Sequence, residues 1–204
     1  MAYKSFRSLT PRNQSSLVTQ LHKLINYYGE IFCPRERTYI KSLTQHDGSV
    51  YWLEDDVRKI IAVAIIDPNY SFKLNDFDVK VLGHTISKRP GQMDRILHHI
   101  WSDYEDDTIA IVCRKSLTSA FDVSDLNLVE LTSLEISENW TELADYRTNY
   151  FNLSDERVSD GLNRKDYCIF VKFTDKDLAS LKDKNEPLFN LVTSKIKQRD
   201  AAVA

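Results

Sequence analysis

FDVKVLGHTISKRPGQMDRILHHIWSDYEDDTIAIVC, residues 77–113, holds three patterns in succession. Phe77 to Ile86 is strand-like and carries Gly83 inside it. A glycine within a strand marks a bulge or a close approach of backbone or ligand. Ser87-Lys88-Arg89-Pro90-Gly91 is a tight basic turn. Met93, Ile96, Leu97, Ile100, Trp101 and Tyr104 then keep helical spacing. Asp106-Asp107 stops that helix, and Thr108 to Cys113, TIAIVC, is apolar enough for a strand covered on both faces. Strand, helix and strand in this order predict a right-handed parallel crossover.

Upstream, Ser49 to Leu53 and Lys59 to Ile66 flank the charged run Glu54-Asp55-Asp56-Val57-Arg58. They predict an antiparallel hairpin, with Asp67-Pro68-Asn69 ending its second strand. Tyr3 to Leu9 alternates like a short strand. Thr10-Pro11 starts a helix whose face carries Leu17, Val18, Leu21, Leu24, Ile25 and Tyr28, and Gly29 ends it. A second short helix is expected from Glu36 to Leu43.

Downstream, a short helix is expected around Lys115 to Val123 and a strand near Leu126 to Ile136. Trp140, Leu143, Ala144 and Phe151 suggest another short helix. Tyr167 to Phe173 reads as a strand, and Thr174 caps a helix with Asp177 in its first turn. Pro187 restarts a helix with Leu188, Leu191, Val192 and Ile196 on one face, and the tail QRDAAVA is expected to fray. The fold class is therefore mixed α/β (α+β): a mostly antiparallel sheet flanked by helices. Residues 1–174 form one domain in this reading. Residues 175–204 are a helical extension, packed on it or projecting from it.

Length and charge exclude several classes. The chain has 204 residues, 42% of them hydrophobic and 28% charged, which suits one folded core. Its 27 basic and 30 acidic residues give a net charge of −3. That offers no footprint for non-specific nucleic-acid binding. The longest apolar run, IIAVAII from Ile60, is far below the roughly 20 residues of a membrane span. MAYKSFRSLTPRNQSS has no apolar stretch, so no secretory signal and a cytoplasmic location are expected. Cys33, Cys113 and Cys168 lack metal-ligand spacing, and their odd number suits reduced thiols. His98 and His99 point about 100° apart on a helix and cannot share one metal.

Three pieces resemble the GNAT superfamily of N-acetyltransferases, over Tyr3 to about Ile136. YKSFRSLTPRNQSSLVTQLHKLI is similar to its first strand and helix. SVYWLEDDVRKIIAVAII is similar to its second and third strands. VLGHTISKRPGQMDRILHHIW is similar to its fourth strand, pyrophosphate loop and third helix. The family's loop pattern is Gln/Arg-x-x-Gly-x-Gly/Ala. Here Lys88 stands for Gln/Arg, Gly91 matches, and Met93 replaces the second small residue. The resemblance implies acetyl-CoA as acyl donor and an amine as acceptor. It assigns Lys88, Arg89, Gly91, Gln92, Met93 and Asp94 to the pyrophosphate. It assigns Gly83, Thr85 and Ile86 to the pantetheine arm, in a notch where the family's fourth and fifth strands splay apart.

Such a loop has a physical basis. A helix N-terminus offers unpaired N–H groups and partial positive charge, and glycine lets the backbone approach a phosphate. Acyl transfer further needs a deprotonated amine, a stabilised carbonyl oxygen and a leaving thiolate. His84 beside the notch is the first candidate base, and Asp122 the second. The family's Tyr that protonates the thiolate is replaced by Ser124, leaving water, Tyr146 or Tyr150. Cys113 is most simply a core thiol. The rival expectation is a GNAT-like binding module without turnover. In either case the C-terminal helix from Pro187 to Arg199 offers a partner surface or homodimer contact.

Overall fold

The computed structural model describes residues 9–27, 35–46, 49–74, 77–114, 127–131 and 167–203. Among them lie five helices and six strands. The helices are α1 (Pro11–Tyr27), α2 (Arg37–Gln45), α3 (Gln92–Asp103), α4 (Asp175–Lys184) and α5 (Glu186–Val203). The strands are β1 (Val50–Glu54), β2 (Ile60–Leu74), β3 (Phe77–Ser87), β4 (Ile109–Arg114), β5 (Val129–Leu131) and β6 (Tyr167–Lys172).

The strands form one sheet in the order β1-β2-β3-β4-β6-β5. Only β3 and β4 pair in parallel; the other neighbours are antiparallel. The expected mixed, mostly antiparallel α+β architecture is thus observed. Two apolar layers flank the sheet. One holds Leu21 and Ile25 of α1, Ile40 and Leu43 of α2, and Leu181, Leu188 and Val192 of α4 and α5. The other holds Met93, Ile96, Leu97 and Ile100 of α3.

The periodicities explain the helices. Leu17, Val18, Leu21, Leu24 and Ile25 are buried on one face of α1, as their spacing requires. Thr174 caps α4: its hydroxyl accepts from the Asp177 N–H at 3.1 Å. Asp177 in turn accepts from Thr108 at 2.6 Å, and Thr108 accepts from the Thr174 N–H at 3.2 Å. This closed set ties α4 to the start of β4. Thr174→Ala should cost about 1 kcal/mol in urea unfolding.

Two expectations are corrected. Asp67-Pro68-Asn69 does not end β2, which continues to Leu74 and pairs there with Phe77. The register slips between Ile66 and Ser71, opposite Leu82 and Lys80, so β2 carries extra residues around Pro68. A bulge is where proline, lacking an N–H, is tolerated in a sheet. The tail does not fray at Gln198 either, because α5 runs to Val203. Arg199 donates to the Leu128 carbonyl at 3.4 Å, and Lys195 to that of Glu130 at 2.8 Å. The stripe Leu188, Leu191, Val192 and Ile196 packs within the chain. All but Leu9 of the strand at Tyr3 to Leu9, the helices at Lys115 to Val123 and Trp140 to Phe151, and most of the strand at Leu126 to Ile136 lie outside the described residues. Within that last range the strand observed is β5.

Candidate functional site

The parallel pairing of β3 and β4 covers only Lys80–Leu82 against Ile109–Ile111. Beyond it the two strands keep different neighbours. β3 stays with β2, Thr85 opposite Ala64 and Ile86 opposite Val63. β4 stays with β6, as far as Arg114 opposite Tyr167. The ladder between β3 and β4 therefore ends at Leu82 and Ile111, a split in the pairing of the sheet. Its apex is a cross-strand row: Ile66, Leu82, Ile111 and Phe170 stand opposite one another on four strands and share the α3 layer.

Gly83 marks a bulge, as its place in the strand predicts. Between the pairs Ile66–Leu82 and Ala64–Thr85, two residues of β3, Gly83 and His84, stand against one of β2, Ile65. Burial shows the same slip. Val81 and Ile86 share the α1 layer although five positions separate them. Strict alternation would put them on opposite faces. The extra residue falls at Gly83-His84, at the mouth of the split.

His84 is fully buried on this arm. Burial first, and the charge of Arg35 second, lower its proton affinity from 6.5 to about 3. It is a neutral imidazole at physiological pH, and so a weak base in this state. Arg35 is held by Asn26, whose side chain accepts from the Arg35 N–H at 2.8 Å and donates to its carbonyl at 3.1 Å. The guanidinium lies over the Tyr39 ring, 5.0 Å from its centroid. The sequence places Arg35 in a charged run but gives no sign that its field reaches His84.

The loop after β3 leads to the open end of α3. Gly91 is the N-cap residue with φ +71°, a left-handed conformation that favours glycine. A β-carbon built there meets nothing within 4 Å, so the backbone angle, not crowding, requires glycine. Among the described residues no side chain caps the helix. Met93 is buried in the α3 layer. Lys88 turns away from the loop: its Nζ donates to the Ile60 carbonyl at 2.9 Å and its N–H to that of Ile61 at 2.8 Å. Arg89 is exposed, and the Ser87 hydroxyl donates to its carbonyl at 2.6 Å. Arg95, missed at the sequence level because it sits inside the helix, donates to Gln92 at 3.2 Å and is exposed. Asp94 places a carboxylate in the first turn. One of its oxygens is buried with no hydrogen-bond partner among the described residues.

Gly83, His84, Thr85 and Ile86 are thus brought to one arm of the split, and Lys88 to Asp94 to the loop and helix end that follow it. Asp122, Ser124, Tyr146 and Tyr150 lie outside the described residues. Among the described residues no three His, Cys, Asp or Glu side chains gather to hold a metal, and no helix is long and apolar enough to cross a membrane. Known protein-family models give no match to the chain, and neither do curated protein sequences.

Proposed function

We propose that the chain is an acyl-CoA-dependent N-acyltransferase of the GNAT type, transferring an acetyl group from acetyl-CoA to an amine. The observation that carries this reading is the split after Leu82 and Ile111, followed along the chain by a glycine-capped helix end. In it, the β4-facing edge of Gly83 to Ile86 takes the pantetheine arm through backbone hydrogen bonds. The N–H groups at Gly91 to Asp94 take the pyrophosphate, helped by Arg89 and Arg95. A backbone N–H in the split supports the carbonyl oxygen during attack. The amine nitrogen bonds to the carbonyl carbon, the carbon–sulfur bond breaks, and the thiolate leaves. The amine's proton passes to solvent, directly or through Asp122. His84, with its low proton affinity, serves as a positioning residue beside the arm.

Calorimetric titration with acetyl-CoA tests this reading, after mass analysis for carried-over CoA. Gly91→Trp should weaken binding at least tenfold, because a side chain at φ +71° fills the approach to the helix end. Equal binding by this variant overturns the loop assignment.

A second reading is a GNAT-like binding or interaction module without turnover. The low basicity of His84 and the Asp94 carboxylate at the helix end favour it. Binding of acetyl-CoA with no acetylation of any amine would select it. No binding at millimolar acetyl-CoA would remove the cofactor too. A partner or second copy at α5 would then meet Asn190, Ser194 and Lys197 on its exposed side.

A further inference from the structure

The three cysteines, counted in the sequence, suit isolated reduced thiols. The sheet register pairs two of them: Cys113 of β4 stands directly opposite Cys168 of β6. Opposed residues of an antiparallel pair share one sheet face, with α-carbons about 4.5 or 5.5 Å apart and β-carbons about 4.5–5.5 Å apart. A disulfide needs α-carbons within about 4.4–6.8 Å and β-carbons within about 3.5–4.5 Å. Closing the bond therefore takes a local shift of about an ångström. The position allows that shift. Val112 opposite Ile169 and Arg114 opposite Tyr167 hold the register on either side. The parallel pairing to β3 has already ended at Ile111. At Cys113, β4 thus has a ladder neighbour on one side only, among the described residues.

We propose that Cys113 and Cys168 are a reversible dithiol–disulfide couple that locks β4 to β6 beside the split. The oxidant is a small disulfide of the glutathione class. One cysteine thiolate attacks a sulfur of the oxidised tripeptide, and one glutathione thiolate leaves. The second cysteine thiolate attacks the resulting mixed disulfide and releases the other glutathione. Two protein thiols are oxidised, one small disulfide is reduced, and the departing thiolates take up the protons.

The experiment uses the full, reduced chain. It is incubated with oxidised glutathione, quenched with N-ethylmaleimide under denaturing conditions, and mapped by peptide mass spectrometry. The expected product carries one bond, between Cys113 and Cys168, with Cys33 alkylated. The melting temperature should rise by about 5 °C or more, because the bond closes the long stretch from Arg114 to Tyr167, and dithiothreitol should reverse the rise. Cys113→Ser should lose the bond and the rise together. If that variant does not fold, the peptide map of the unchanged chain decides. Three alkylated thiols in excess oxidant, glutathione adducts alone, or a bond that includes Cys33 each overturn the proposal.

Discussion

Between pH 6.5 and pH 5 the wild-type protein will lose about 1.7 kcal/mol more stability than a His84→Leu variant. The sign follows from where the proton sits. In the unfolded chain His84 has its ordinary value of 6.5; in the fold it is lowered to about 3. Between those values the unfolded chain binds a proton that the folded chain refuses. Stability therefore rises with pH through the window and falls as acid is added. The slope approaches 1.4 kcal/mol per pH unit below 6.5 and levels off near pH 3. Carboxylates add their own acid sensitivity, and subtracting the variant's curve removes it. Urea unfolding at half-unit pH intervals is the measurement. Parallel curves for the two proteins would mean that His84 takes up protons in the fold as freely as outside it.

The second large effect lies at the apex of the split. Phe170→Ala should destabilise the fold by about 3–5 kcal/mol, the usual loss for emptying a buried phenylalanine site. Phe170 is 1% exposed and among the largest fully buried side chains. It stands opposite Ile111 on one side and Glu130 on the other, in the middle of the β4-β6-β5 half of the sheet. Nothing on neighbouring strands collapses easily into the space, because each partner is fixed by its own ladder. Leu188→Ala, nearer the surface at 8% exposure, should cost less. Equal losses in urea unfolding would show that the two layers are not graded in this way.

The sequence carries much of this fold in its apolar spacing. Leu17 to Ile25 and Met93 to Ile100 each bury one helical stripe, so α1 and α3 follow from period alone. The bulge at Gly83 was legible because glycine inside a strand has few other uses. Pro68 misled for a related reason: proline signals the end of a strand unless a bulge removes the need for its N–H. The direction of Lys88 was not legible. Whether a lysine after a strand reaches a ligand or a carbonyl depends on which strand lies beside it, here the start of β2. The burial of His84 was equally hidden, since only the bulge decides where residue 84 points. The pairing of Cys113 with Cys168 joins positions far apart in the chain, and no local pattern announces it.

The contacts of Lys195 and Arg199 bear on how the protein keeps to itself. Among the described residues β5 is an end strand of the sheet, and an end strand offers free carbonyls to any extended chain that drifts past. Two cations from α5 occupy the carbonyls of Glu130 and Leu128. A newcomer would have to displace ammonium and guanidinium groups before it could extend the sheet. The last helix therefore works as a guard rail against runaway stacking of one molecule on the next, and cutting the chain before Lys195 would remove it.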